Sequence, residues 1–98
     1  MKAFVYLSQT AGEKNPLGPT DNGVYQLDGV NLVGRLGDIR IPAWAKGVSR
    51  CHLLFVRNEE SGHVYVADCS RNGNRELRRV EVGNVFELPH CIRVEIIP

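Results

Sequence analysis

Three short segments concentrate the side chains able to hold an anion: Gly34-Arg35, Ser49-Arg50-Cys51-His52 and Asp68-Cys69-Ser70-Arg71-Asn72-Gly73. Arginine offers a planar fork for two parallel bonds, serine a short rotatable donor, and an Asn-Gly turn outward-facing backbone N–H groups. The ligand that suits such a set is a phosphate monoester, which near neutral pH carries close to two negative charges and three strong acceptor oxygens. Each charge-assisted bond contributes about 1.5 to 3 kcal/mol. Two or three of them, set against the cost of association, correspond to roughly micromolar affinity. That strength suits a reversible contact.

Taken singly, each residue has a plainer use: Arg35 in a surface ion pair, Ser49 as a turn cap, Asn72-Gly73 as an ordinary turn. The combination in three turn-like segments favours the anion. Cys51, His52, His63, Cys69, His90 and Cys91 do not suggest a metal site. Neighbouring strand residues point to opposite faces, so Cys51 and His52 cannot easily share one ion, and no Cys-x-x-Cys pair exists. No cofactor is implied. An enzyme is not expected, because no motif pairs an acid with a base and nothing orders a base beside a cysteine. Free buried thiols are the expected state of the cysteines. Arg75, Arg78 and Arg79 read as a solvated edge whose best functional use is to favour acidic residues in a bound peptide. Trp44 is expected to tuck back onto the body of the domain.

These segments need rigid elements to bring them together, and 98 residues are enough for one domain with one core, residues 1–98. A hydrophobic fraction of 43% with 23% charged residues places the chain among globular proteins, away from disorder. Its longest apolar runs, Leu53 to Val56 and Val94 to Ile97, are far shorter than the roughly 20 residues of a membrane span, so no membrane partner is expected. Met1 to Leu7 reads as a first strand and not as a leader. A net charge of +1 gives no bulk attraction to nucleic acid. Three cysteines without paired spacing imply a reducing, intracellular compartment, nucleus or cytoplasm.

Short apolar or alternating runs bounded by Gly, Asn and Pro predict strands at Ala3–Leu7, Val24–Leu27, Asn31–Val33, Asp38–Ile41, His52–Arg57, His63–Ala67, Arg79–Val82, Val85–Leu88 and Ile92–Ile97. No long window carries helical periodicity. Close strand spacing predicts an all-β sandwich or barrel, whose end loops can converge. Gly12 to Gly23, with Pro16, Pro19 and Asp21-Asn22-Gly23, reads as a loose polar loop, and Asn58 to Gly62 as a hairpin turn.

The order of the motifs then becomes specific. Gly-Arg, Ser-Arg-x-His about fourteen residues later, and Asp-x-Ser-x-Asn-Gly about fifteen further on resemble the forkhead-associated (FHA) domain. Tyr25 to Leu27, Asn31 to Arg35, Asp38 to Pro42 and Val48 to His52 follow the same pattern, and Val82-Gly83-Asn84 resembles its late Gly-Asp turn. The resemblance implies an antiparallel β-sandwich of about eleven strands that binds phosphothreonine peptides through loops at one end, as a module for signalling-dependent assembly.

Carried onto this chain, it implies that Arg35, Ser49 and Arg50 bind phosphate and that Arg71 and Asn72 contact the peptide. Gly34, His52, Ser70 and Gly73 support the loops. Asn74 stands where the family has Thr, and Asn84 where it has Asp; both positions look structural. Ala43 to Gly47 falls in a loop that, in the family, helps read residues beyond the phosphothreonine. The alternative function is an FHA-like sandwich that binds an unmodified partner, or a second copy of itself, through a sheet face.

Overall fold

The computed structural model describes residues 1–18 and 22–98 and shows ten strands and no helix among them. They are β1 (Lys2–Leu7), β2 (Asn15–Pro16), β3 (Val24–Gln26), β4 (Val30–Gly34), β5 (Ile39–Arg40), β6 (Leu53–Arg57), β7 (Val64–Asp68), β8 (Arg78–Arg79), β9 (Val85–Leu88) and β10 (Ile92–Ile97). One sheet runs β2-β1-β10-β9, with β3 on the same edge of β1 as β2; the other runs β5-β4-β6-β7-β8.

Period-two alternation explains the layers. Along β10, Ile92, Val94 and Ile96 are fully buried between more exposed neighbours, and β1 sends Ala3 and Val5 to the same interior. The facing sheet contributes Val33, Leu53, Phe55, Val64 and Val66. β1 and β10 pair antiparallel over their full length, from Lys2 opposite Ile97 to Leu7 opposite Ile92.

Every strand expected from the pattern exists, with ends shifted by a few residues, most at Arg79–Val82, where the ladder holds Arg78–Arg79. Two features differ from expectation. β4 and β5 pair in parallel, joined by the tight turn from Gly34 to Asp38, and the Asp38 carboxylate accepts the Leu32 N–H at 3.0 Å. The segment after Gly12 is not a loose loop up to Pro16. Asn15–Pro16 pairs with β1, Lys14 bridges to Glu95 at 2.9 Å, and Leu17 packs on the core. That apolar anchor is a single residue, too little for periodicity to register. Pro19 and Asp21 lie outside the described residues.

Candidate functional site

The pairing register brings the three segments to one place. Val33 lies opposite Leu53, and Leu53 opposite Asp68, so β4, β6 and β7 are in step at this end of their sheet. Gly34-Arg35 leaves β4 there, Ser49 to His52 leads into β6, and Cys69 to Asn72 leaves β7. With strands about 4.8 Å apart, the outer two of these segments are separated by roughly two such spacings. Backbone bonds continue the ladder into the loops. His52 N–H donates to Val33 at 2.7 Å, Cys69 N–H to His52 at 2.8 Å, Arg35 N–H to Ser49 at 3.2 Å and Leu36 N–H to Arg50 at 3.0 Å.

This close approach explains Gly34. A Cβ there would fall 2.6 Å from the Arg50 carbonyl carbon and 2.8 Å from the Ser49 oxygen, closer than real Cβ atoms come. Only hydrogen leaves room for the crossing.

Arg35 is half-buried, and its Nε donates to the Val48 carbonyl at 2.6 Å. The two terminal guanidinium nitrogens have no protein partner among the described residues. One edge of the fork is thus fixed and the other is free. Beside it, Ser49 N–H donates to His52 Nδ1 at 3.0 Å. Nδ1 therefore acts as an acceptor, which assigns the proton of the neutral ring to Nε2. Burial lowers the His52 pKa, opposed by the negative charge of Asp68. The Ser49 hydroxyl has no partner among the described residues, and Arg50, Arg71 and Asn72 are exposed.

The third segment is shaped by Asp68, which the sequence reading placed in a motif but gave no role. Its Oδ1 accepts the Ser70 N–H at 2.9 Å and the Ser70 hydroxyl at 2.5 Å, an Asx turn closed by a second donor. Burial, the largest single effect, works to raise the Asp68 carboxyl, but the two Ser70 donors together with the charges of His52 and Arg75 hold the pKa below the usual value. The Asp68 carbonyl accepts Arg75 N–H, and Gly73 N–H returns to Ser70. A Cβ on Gly73 would lie 2.7 Å from the Asp68 carbonyl carbon, so this glycine too is a packing requirement. Asn72 stands at the tip of the loop so formed.

The remaining loop is held from the opposite sheet. Ala45 and Val48 are buried, Gly47 N–H lies 3.4 Å from His90 Nε2, and the Trp44 ring meets that imidazole edge-on at 6.0 Å. Trp44 nevertheless remains 53% exposed, so its expected packing is confined to one edge. The buried thiols expected of the cysteines are also corrected: Cys51 and Cys91 are exposed and Cys69 is half-buried. Cys51 alternates outward from buried His52, and Cys91 sits in a turn with φ of 61°. Among the described residues, no three His, Cys, Asp or Glu side chains gather as a metal site. Asn74 accepts Glu76 N–H, and Asn84 closes the Glu81–Asn84 turn around Gly83, each stabilising a turn without Thr or Asp.

The FHA domain family model matches residues 31–97, which include all three loops. The chain belongs to the FHA domain family. Two solved FHA structures share the fold. One, from a structural and functional analysis of phosphothreonine-dependent FHA domain interactions, is 22% identical, with TM-score 0.61, covering 100% of this chain and 97% of that one. The other is the FhaA FHA domain complexed with the intracellular domain of Rv3910, 23% identical with TM-score 0.61, covering 97% of this chain and 98% of that one. No curated protein sequence matches the chain.

Proposed function

We propose that this FHA domain is a non-enzymatic binding module that recognises phosphothreonine in a protein partner and so assembles complexes in response to phosphorylation. The observation that carries this reading is Arg35, pinned through Nε to Val48 with its two outer nitrogens free, beside a Ser49 hydroxyl with no protein partner among the described residues. A fork already held in place loses less side-chain entropy on binding. Arg35 and Ser49 take the phosphate, Arg50 flanks it, and Arg71 and Asn72 contact the peptide chain. His52, Ser70, Gly34 and Gly73 hold the loops in register. Phosphothreonine-dependent interaction of one structural neighbour supports the same ligand. The free thiols fit a reducing compartment such as nucleus or cytoplasm.

Calorimetric titration with degenerate phosphothreonine peptides, beside the unphosphorylated set, tests the reading. Phosphate-dependent binding near the micromolar range is expected; its absence from every pool overturns the proposal. Arg35→Ala removes two charge-assisted bonds worth about 1.5 kcal/mol or more each, so affinity should fall by about 100-fold or more. The cooperative unfolding transition should persist, which separates lost contact from lost fold.

A further inference from the structure

In an antiparallel sandwich the outer face of each sheet meets water, and its strands alternate apolar residues inward with polar residues outward. The sheet built on β1 and β10 follows this rule. Lys2, Arg93, Glu95 and Glu87 stand on its outer face, where Lys14 pairs with Glu95 and Arg93 with Glu87. The other sheet breaks the rule. Val33, Leu53, Phe55 and Val66 face the core, and the residues between them, Val30, Leu32, Leu54, Val56, Tyr65 and Ala67, face outward in cross-strand pairs. The outer face of its three central strands, β4, β6 and β7, therefore holds no charged side chain. Val30 is 60% exposed, and Leu32, Leu54, Val56 and Tyr65 are half-buried. The unbroken runs Leu53 to Val56 and Val64 to Ala67 are the pattern of strands covered on both faces.

We propose that this face docks an amphipathic helix of a partner protein, its apolar stripe against β4, β6 and β7 and its acidic flanks toward Arg40 and Arg79. The two arginines rim the patch on opposite sides. Arg40, on β5, lies beside Gly34, and Arg79, on β8, lies opposite Tyr65; both are exposed on the outer face and form no ion pair among the described residues. Asp38, two residues before Arg40, directs its carboxylate to the Leu32 N–H. Four strand spacings, about 19 Å in all, separate the rims. A helix about 10 to 12 Å across fits between them and leaves glutamates on its flanks within reach of both. An extended segment does not suit the face, because the sheet's own backbone groups are already paired and those of the segment would be buried against Val and Leu without partners. Nor does a second copy. In aligned sheet-on-sheet packing, a two-fold axis along or across the strands sets arginine against arginine. The face excludes Arg35, Ser49 and Asn72, so the proposal stands apart from the phosphothreonine reading.

The test uses the 98-residue chain and a stapled helical peptide of about 15 residues, with leucines at i, i+3, i+4, i+7 and i+11 and glutamates on both flanks. A lysine-flanked twin and a scrambled form of the glutamate peptide serve as controls. The glutamate peptide should shift the NMR methyl signals of Val30, Leu32, Leu54 and Val56 saturably, and the lysine twin should bind at least about 5-fold more weakly. Arg40→Glu combined with Arg79→Glu should invert that order, which a loss of fold cannot do. No shift, equal shifts from all three peptides, or an order unchanged by the charge reversal overturns the proposal. Shifts of the same methyl groups on concentrating the chain alone assign the face to a second copy and overturn it. Shifts of those groups by phosphatidylserine vesicles, with none from the glutamate peptide, assign the face to a membrane and overturn it as well.

Discussion

Gly34 and Arg35 are neighbours with opposite requirements. Arg35 is defined by what its side chain reaches, Gly34 by what lies where a side chain would be. An alanine at 34 must displace the Ser49 and Arg50 carbonyls, which themselves accept Arg35 and Leu36 N–H. Gly34→Ala should therefore destabilise the domain by about 1 to 3 kcal/mol, the usual cost of overpacking, and weaken phosphopeptide binding as well. Urea denaturation beside titration separates it from Arg35→Ala, whose deficit should be mainly in binding. Both residues stand out in the sequence as a Gly-Arg pair, but the Val48 carbonyl that steers Arg35 does not. A backbone acceptor leaves no residue-type signature.

At the scale of elements, the recognition end is built by loops whose order depends on local side-chain bonds. The Asp68–Ser70 turn sets the path toward Asn72 and Gly73. Ser70→Ala keeps the backbone donor and loses the hydroxyl donor. It should raise amide exchange across residues 69–73 and weaken peptide binding several-fold, corresponding to about 0.5 to 1.5 kcal/mol for one hydrogen bond. Unchanged exchange in that loop would remove Ser70 from the loop-ordering role. Strands such as β9 and β10 were legible end to end because alternation or a continuous apolar run marks them. β2 was not, since two exposed residues, one of them proline, carry no period. In sequence Arg78 reads as a solvated edge residue; its inward register depends on a ladder partner that sequence spacing does not reveal.

For the whole molecule, the response to falling pH follows from two depressed pKa values. His52 is lower in the folded state than its ordinary value of about 6.5, so the unfolded chain binds the proton more readily. Its contribution to stability is fully present above about pH 6.5 and is lost as pH falls through the folded value. Asp68 follows the same sign in a more acidic window, beginning near its unfolded value of about 3.9. Urea midpoints measured from pH 8 to pH 4.5 should decline through the first window. His52→Gln, whose amide oxygen can accept Ser49 N–H without titrating, should flatten that decline. The family resemblance implies His52 as a loop brace, while its neutral, accepting state rests on the contact with Ser49.

The register of β1 with β10 has a consequence for how the domain can be handled. Lys2 and Ile97 sit side by side, whereas Leu7 and Ile92 lie toward the turn whose His90 touches the loop before Ser49. Six paired residues, at about 3.4 Å each, separate those two ends. Lys2 and Ile97 therefore lie close to a strand length from the loops proposed to bind the peptide. A fluorophore or surface tether attached beside Lys2 or Ile97 would hold the domain by its base, with the end proposed to read the peptide directed away.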